Sequence, residues 1–306
     1  MNPSSPQVSV VIPNFRRKES VVTLVGELGR QRDADFEIII VDDCSNDGSV
    51  DAIRQVCPHV TVIASEKNGG PSVARNKGIR QARGPILVGL DSDVSLVDPH
   101  VIAKTVDTFD RHPAVDGLAY RIYRPDGVTD DGPRWCHPRP MAQYAASYFE
   151  TEYFSGTGYA FRTASVLRAG LFPEYFFMDY EEVELAYRVL DHGGTILYTP
   201  AISVLHMEHV VSRRGQADTY FRPRNQILFA ITALPTLRAL GFLATRVPFQ
   251  GLKSIRGGYV ANYLRAMRDG MRMAPARWRA RNPLKVATMR RIMRIRRSRT
   301  LFTPTT

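Results

Sequence analysis

LVGLDSDVSL, residues 87–96, is an apolar run that ends abruptly in acid. Leu87, Val88 and Leu90 have the character of a core strand, yet Asp91 and Asp93 follow at once with only Ser92 between them. A buried carboxylate without a partner is costly, so these acids either reach solvent or hold something positive. Aspartate is also ordinary turn chemistry at a strand end. The surrounding chain decides between the two readings.

The same run-then-acid pattern recurs upstream. VSVVI (8–12), FEIIIVD (36–42), VTVIA (60–64) and PILVGL (85–90) read as four strands. Helical patterns lie between them at 17–31, 50–56 and 71–82, the last opening with Pro71 in its first turn. Near-continuous apolar strands separated by helices predict an α/β domain whose parallel strands are covered on both faces. Open parallel sheets bind ligands beyond the carboxyl ends of their strands. Asp42 and Asp43 close one strand, and Asp91 and Asp93 another, so both pairs fall on that rim.

Further along, 128–140 is a Pro- and Gly-rich loop containing Trp135 and His137, and 156–170 reads as a strand turning into a helix. Residues 179–194 form a helical pattern with Val183, Leu185, Ala186, Val189 and Leu190 as core positions and Gly193-Gly194 as its stop. TILYTP (195–200) and AISVLHME (201–208) are two strand-like runs. The apolar stretch 226–244 is interrupted by Pro235 and Arg238 and makes a poor membrane-spanning helix.

Charge divides the chain. The net charge is +11, but residues 1–235 carry 24 Lys and Arg against 29 Asp and Glu, whereas residues 236–306 carry 17 against one, Asp269. The expected organisation is a catalytic-type domain over 1–235 and a basic helical extension over 236–306. In PLKVATMRRIMRIRR (283–297), Val286, Met289, Ile292 and Met293 recur at helical spacing between arginines. That pattern suits an anionic membrane surface. Three cysteines, Cys44, Cys57 and Cys136, are too few and too irregular for a disulfide framework or a zinc site, which fits a reducing, cytoplasmic compartment. MNPSSPQ has neither the basic nor the apolar region of a signal peptide.

Paired carboxylates on a strand rim suit Mg2+ or Mn2+ carrying a nucleotide diphosphate, since such cations prefer oxygen ligands and neutralise charge on a departing diphosphate. The glycines of EKNGGPSVARNKG (66–78) permit close backbone approach, and Arg75 is placed to meet phosphate or the nucleotide. Glu181, Glu182 and Glu184 at a helix start are dipole partners or a general base.

The ordered set of motifs over residues 8–230 resembles family 2 glycosyltransferases of the GT-A fold, in particular the rhamnosyltransferase-like branch. The segments are SVVIPNF (9–15), IIIVDDCSNDGS (38–49), NGGPSVARNKG (68–78), GLDSDV (89–94), SGTGYAFRTASVLRAGLFPE (155–174), YEEVELAYR (180–188) and YFRPRNQILF (220–229). The resemblance implies a Rossmann-like, mostly parallel sheet flanked by helices. It implies a nucleotide-sugar donor, UDP- or dTDP-linked, a glycan or lipid-linked acceptor, and inverting, metal-dependent transfer at the cytoplasmic membrane face. Carried onto this chain, Asp42 meets the nucleotide base and Asp43 supports its loop. Pro13, Asn14, Asn68, Gly69, Arg75, Asp91 and Ser92 line the donor site. Asp91 and Asp93 match the metal motif, with Asp93 as the direct ligand and His206, rivalled by His209, beside it. Glu182 stands where the family has an aspartate base, so the longer Glu182 and its neighbour Glu181 share the candidacy.

Two other readings fare worse. A sugar-nucleotide nucleotidyltransferase would carry a glycine-rich basic loop after its first strand, where this chain has PNFRRKES. Nucleic-acid binding through the arginine-rich extension is cheap electrostatically, but aromatics there are sparse and the body is acidic, so no nucleic-acid partner is expected. The oligomeric state is not legible.

Overall fold

The computed structural model describes residues 5–207, 215 and 217–302. In chain order the strands are β1 (Val8–Asn14), β2 (Phe36–Asp42), β3 (Thr61–Ala64), β4 (Ile86–Leu90), β5 (Val94–Ser95), β6 (Gly117–Tyr123), β7 (Phe149–Thr151), β8 (Gly158–Arg162) and β9 (Ile196–His206). The helices are α1 (Lys18–Leu28), α2 (Ser49–Val56), α3 (Pro71–Gln81), α4 (Val101–Arg111), α5 (Met141–Tyr144), α6 (Thr163–Ala169), α7 (Glu181–Asp191), α8 (Arg222–Ala233), α9 (Thr236–Arg256), α10 (Val260–Arg279) and α11 (Val286–Arg297).

Alternation along the strands sets two apolar faces. Val8, Val10 and Ile12 of β1 turn one way and Val11 the other; Ile40 and Ile39 of β2, and Val88 and Leu87 of β4, divide likewise. A strand with two apolar faces needs cover on both sides. Leu24, Ile53 and Ile102 from α1, α2 and α4 close one face. Ile79, Val166, Leu185 and Leu228 from α3, α6, α7 and α8 close the other. Each fully buried side chain of this kind contributes about 1.5–3 kcal/mol.

The strands among the described residues form one sheet in the order β3-β2-β1-β4-β8-β6-β9-β5, with β7 also paired to β9. β1 pairs in parallel with β2 and β4, and β2 with β3; β8 runs antiparallel between β4 and β6, and β6 and β9 are again parallel. The sheet is therefore mostly parallel, with β5, β7 and β8 reversed. The expected strands agree closely, with one merger. TILYTP and AISVLHME form the single strand β9, because a register shift opposite Tyr120/Arg121 absorbs Pro200, which has no N–H to give to the ladder. Val94 of β5 then pairs with His206 of β9, which brings that histidine to the end of the β4 acid motif.

Helix α8 ends before Pro235, and no helix among the described residues is long and apolar enough to cross a membrane. Gly270 of α10 lies against Ile227 of α8, where a side chain would not fit easily. The basic amphipathic helix α11 differs from its expectation. Ile292 and Ile295 are buried in the core beneath α7, while Val286 is exposed. Arg291 donates to Glu150 (2.6 Å), and Arg296 to Glu152 (2.8 Å) and the Tyr187 hydroxyl (2.6 Å). The apolar face read as membrane-facing is thus occupied by the protein itself.

One further contact positions the site. The loop before α7 holds Phe177, Asp179 and Tyr180 at positive φ (66°, 69° and 80°), a conformation costly for residues with side chains. The buried Asn225 of α8 holds it there, donating to the carbonyls of Met178 (2.8 Å) and Asp179 (2.6 Å). Asp179 is also paired with Arg222 at 3.0 Å. Substituting Asn225→Ala is expected to cost about 1–3 kcal/mol of unfolding free energy by urea titration, the price of leaving buried carbonyls unpaired; an unchanged midpoint would show that the loop holds itself.

Candidate active site

The rim of the sheet is organised by short polar contacts from strand ends. Asn14, at the end of β1 and one residue beyond Pro13, lies in register with Asp42 and donates to its Oδ1 (2.9 Å). The Ser45 N–H donates to Asp42 Oδ2 (3.0 Å). Asp43 turns away from Asp42 and accepts from the N–H groups of Gly69 (2.9 Å) and Gly70 (2.7 Å), while Asn68 Oδ1 accepts a second bond from Gly70 N–H (3.1 Å). Asp42 and Asp43 therefore pin two loops, 43–45 and 68–70, that flank the ends of β1 and β2. Gly70 is required here: its φ is +85°, and a Cβ would lie 2.7 Å from the Phe177 carbonyl.

The two acids of the β4 motif part company. Asp91 Oδ1 accepts from Arg75 Nη2 at 2.8 Å. Arg75 is buried in α3, and its Nη1 lies 3.3 Å from Glu181 Oε1 and 3.7 Å from Glu182 Oε1. One guanidinium thus faces three carboxylates, from β4 and from the first turn of α7. Ser92 is buried between the two diverging acids. Burial pushes the Glu182 carboxyl above the ordinary glutamate range, by more than Arg75 pulls it down. Glu181 is driven up further by burial and by Glu182, and its Oε2 has no hydrogen-bond partner. Gly156 sits over this cluster; a Cβ there would lie 2.4 Å from Arg75 Nη2 and 2.5 Å from Glu182 Oε1.

Asp93 belongs to a second cluster. Its Oδ2 is 2.6 Å from Arg17 Nη1 and 3.6 Å from His206 Nε2. Burial alone would raise its pKa, but His206 and Arg17 outweigh burial and hold it below the usual range. His206 Nδ1 lies 2.7 Å from Asp131 Oδ2, and its Nε2 lies 3.1 Å from Arg134. Burial works against the imidazolium, yet Asp131 and Asp93 raise its pKa overall.

No three His, Cys, Asp or Glu side chains form a ready cage for a metal among the described residues. The donor set nevertheless fits a divalent cation bound with its substrate. Asp93 Oδ1 is buried and without a partner, and Asp131 orients His206 in the way carboxylates orient metal-binding imidazoles. Mg2+ in particular is commonly held by one or two carboxylates, with waters and phosphate oxygens completing the shell. Asp93 and His206 are the fitting pair; Asp91 is committed to Arg75.

Other candidates fall elsewhere. His209 lies outside the described residues. Trp135 spends its indole N–H on the Arg139 carbonyl (2.6 Å) and packs edge-on against His137 and Tyr198. His137 is half-buried, bonded to Thr151 and held neutral with a pKa near 3 by desolvation and Arg139. The indole N–H of Trp135 and the Nδ1 of His137 are thus engaged within the protein. Arg17, Asp131, Arg134 and Gly156 were missed by sequence reasoning. Arg17 lies in PNFRRKES directly after β1, where a cation beside the first strand was a usable signal; Asp131 lies in a loop whose Pro and Gly content drew the reading instead.

Comparison with known proteins bears on the family and the fold. The family model "Glycosyl transferase family 2" matches residues 9–171. The succinoglycan biosynthesis protein ExoO of Rhizobium meliloti (strain 1021) is 32% identical over 126 residues, 39% of this chain and 36% of that protein. The chain spans between 22% and 54% of the lengths of the first curated relatives it matches. Among solved structures, S. aureus TarS 1-349 in complex with UDP-GlcNAc superposes with a TM-score of 0.59 at 20% identity, over 90% of this chain and 83% of that one. The mannosyltransferase PcManGT from Pyrobaculum calidifontis, in complex with GDP-Man and Mn2+, gives 0.58 at 18% identity, over 95% and 84%. These likenesses establish the α/β GT-A arrangement of the sheet and its helices. With a family model matched over more than half of its 306 residues, the chain belongs to glycosyl transferase family 2.

Proposed function

We propose that this chain transfers a sugar, with inversion, from a UDP- or dTDP-linked donor to a hydroxyl of a glycan or lipid-linked acceptor in cell-envelope polysaccharide synthesis, in the manner of the rhamnosyltransferase-like branch. The observation that carries the reading is the Arg75 network, which ties the acid-terminated strand β4 to the glutamates opening α7. The relatives lend support: ExoO is a succinoglycan biosynthesis protein, and the TarS and PcManGT structures hold sugar nucleotides. A lipid-linked acceptor would be met at the cytoplasmic face of the membrane.

Glu182 is the better base of the two. Its side chain keeps 16% of its exposure against 4% for Glu181, so an acceptor hydroxyl can reach it. The acceptor O–H gives its proton to the Glu182 carboxylate as its oxygen forms the new bond to the anomeric carbon. The bond from that carbon to the diphosphate oxygen breaks on the opposite side, and the nucleoside diphosphate leaves with the electron pair. Mg2+ or Mn2+, held by Asp93 and His206, would neutralise charge on the leaving diphosphate. Arg17 and Arg134 add fixed positive charge beside Asp93. Arg75 keeps the Glu182 carboxyl ionisable despite burial and holds Asp91 beside the glutamates of α7.

Substituting Glu182→Gln is expected to lower transfer about 10²–10⁴-fold while leaving the donor-induced thermal shift unchanged; full transfer by this variant would move the base elsewhere. In the wild type, a base must be ionised to act, and the Glu182 carboxyl lies above its ordinary value of about 4.3. Activity therefore falls as pH drops through that raised pKa. Because Arg75 lowers it, Arg75→Gln is expected to move the acidic limb of kcat/KM to higher pH, and a limb that stays in place would free Arg75 from this role. Asp93→Ala should abolish the Mn2+-dependent part of donor stabilisation in a thermal-shift assay, whereas retention of that part would remove Asp93 from the cation site.

A further inference from the structure

Helices α9 and α10 turn Phe242, Leu243 and Met273 inward onto the core, yet each also carries a second apolar stripe that faces outward. Along α9, Leu237, Leu240, Ala244, Pro248, Leu252 and Ile255 recur at helical spacing, and all of them face solvent. Leu237 is 85% exposed and Ile255 67%, while Ala239, Gln250 and Ser254 on the reverse side are buried against the protein. The same holds for α10: Val260, Leu264, Met271 and Trp278 make an outward stripe, with Met271 63% and Trp278 50% exposed, and Ala266 and Gly270 are buried behind it. A globular surface helix turns its apolar stripe inward and leaves its outer face polar. The two helices are joined through Gly257-Gly258, and the Tyr263 hydroxyl of α10 donates to the Val247 carbonyl of α9 at 2.9 Å.

Charge says what covers these stripes. On a helical projection Arg265, Arg268, Arg272 and Arg279 form a row along one edge of the α10 stripe, and Arg238, Lys253 and Arg256 flank that of α9. Asp269 is the sole acid in residues 236–306. An apolar stripe edged by cations, on helices that do not qualify to span a bilayer, is the signature of a helix lying in the plane of an anionic lipid surface.

We propose that α9 and α10 form an in-plane docking plate for an anionic membrane, with their leucine, methionine and Trp278 side chains entering the headgroup boundary and the arginine rows meeting lipid phosphates. This deepens the proposed function, since it rests on that reading only for the statement that the acceptor is lipid-linked. It also moves the membrane contact from α11, whose apolar face is packed beneath α7, to the helical pair before it.

The test is cosedimentation of the full chain with vesicles of phosphatidylcholine alone and of phosphatidylcholine mixed with phosphatidylglycerol, read together with the emission maximum of Trp278. The wild type is expected to sediment preferentially with the anionic vesicles, with a blue shift that Trp278→Phe removes. Leu240→Glu with Leu252→Glu, both at exposed positions, should lower partitioning by about tenfold per leucine. Arg268→Gln with Arg272→Gln should lower it by about fivefold per charge at low salt. Donor-induced thermal stabilisation should be unchanged in all of these variants, which separates failure of docking from failure of sugar-nucleotide binding. Sedimentation equal on both vesicle types or absent from both, or wild-type partitioning by the double leucine variant, would overturn the proposal. So would a concentration-dependent dimer that the leucine substitutions dissolve, because a second copy would then be the cover.

Discussion

The Arg75 guanidinium is the charge on which the polar rim of the sheet depends. It is buried in α3, yet it neutralises Asp91 from β4 and two glutamates from α7, elements far apart in sequence. Without that cation, three carboxylates would face one another in a space largely closed to water, and Glu181 and Glu182 would be driven further toward their protonated forms. The surrounding chain keeps room for it. Gly156 has no Cβ to press on either Arg75 or Glu182, and the Phe172 ring lies 5.3 Å from the guanidinium, giving it a π face to rest on. The arginine is held as much by what is left out around it as by what touches it.

The second constraint is directional. The β4 motif delivers two acids, and the backbone sends them to different clusters. Asp91 completes the Arg75 network, while Asp93 joins Arg17, His206 and, through the imidazole, Asp131. The division follows from β5, a two-residue strand that turns back and pairs antiparallel with β9 at His206. A motif of three residues thus serves two separate electrostatic environments, one organised around an arginine and the other around a histidine.

How much of this was legible in the sequence follows from the range of each contact. The four leading strands, their helices and the acids at their ends are local patterns, and they read correctly from periodicity alone. Pairings that close over long separations did not: Asp131 and His206 are 75 residues apart, and Asn225 reaches back 46 residues to the Asp179 carbonyl. Neither end of such a pair carries a local mark of its partner. The aromatic cluster that receives Trp135 leaves no local mark in its loop either, and the outward stripes of α9 and α10 could not be told from inward ones, since periodicity reports a face without saying which way it points. In α11 the same ambiguity ran the other way.

The grip of α11 on the body has an effect on timing. Arg291 and Arg296 hold Glu150 and Glu152 at and just beyond strand β7, and Ile292 and Ile295 fill the core under α7, the helix that begins with Glu181 and Glu182. During synthesis the chain emerges from its N-terminus first. The sheet and its acids are therefore complete while the segment that braces the glutamate helix is still inside the ribosome. A nascent chain would carry a finished strand rim beside an unbraced glutamate helix, and the two would be fixed together only after Arg296 has emerged.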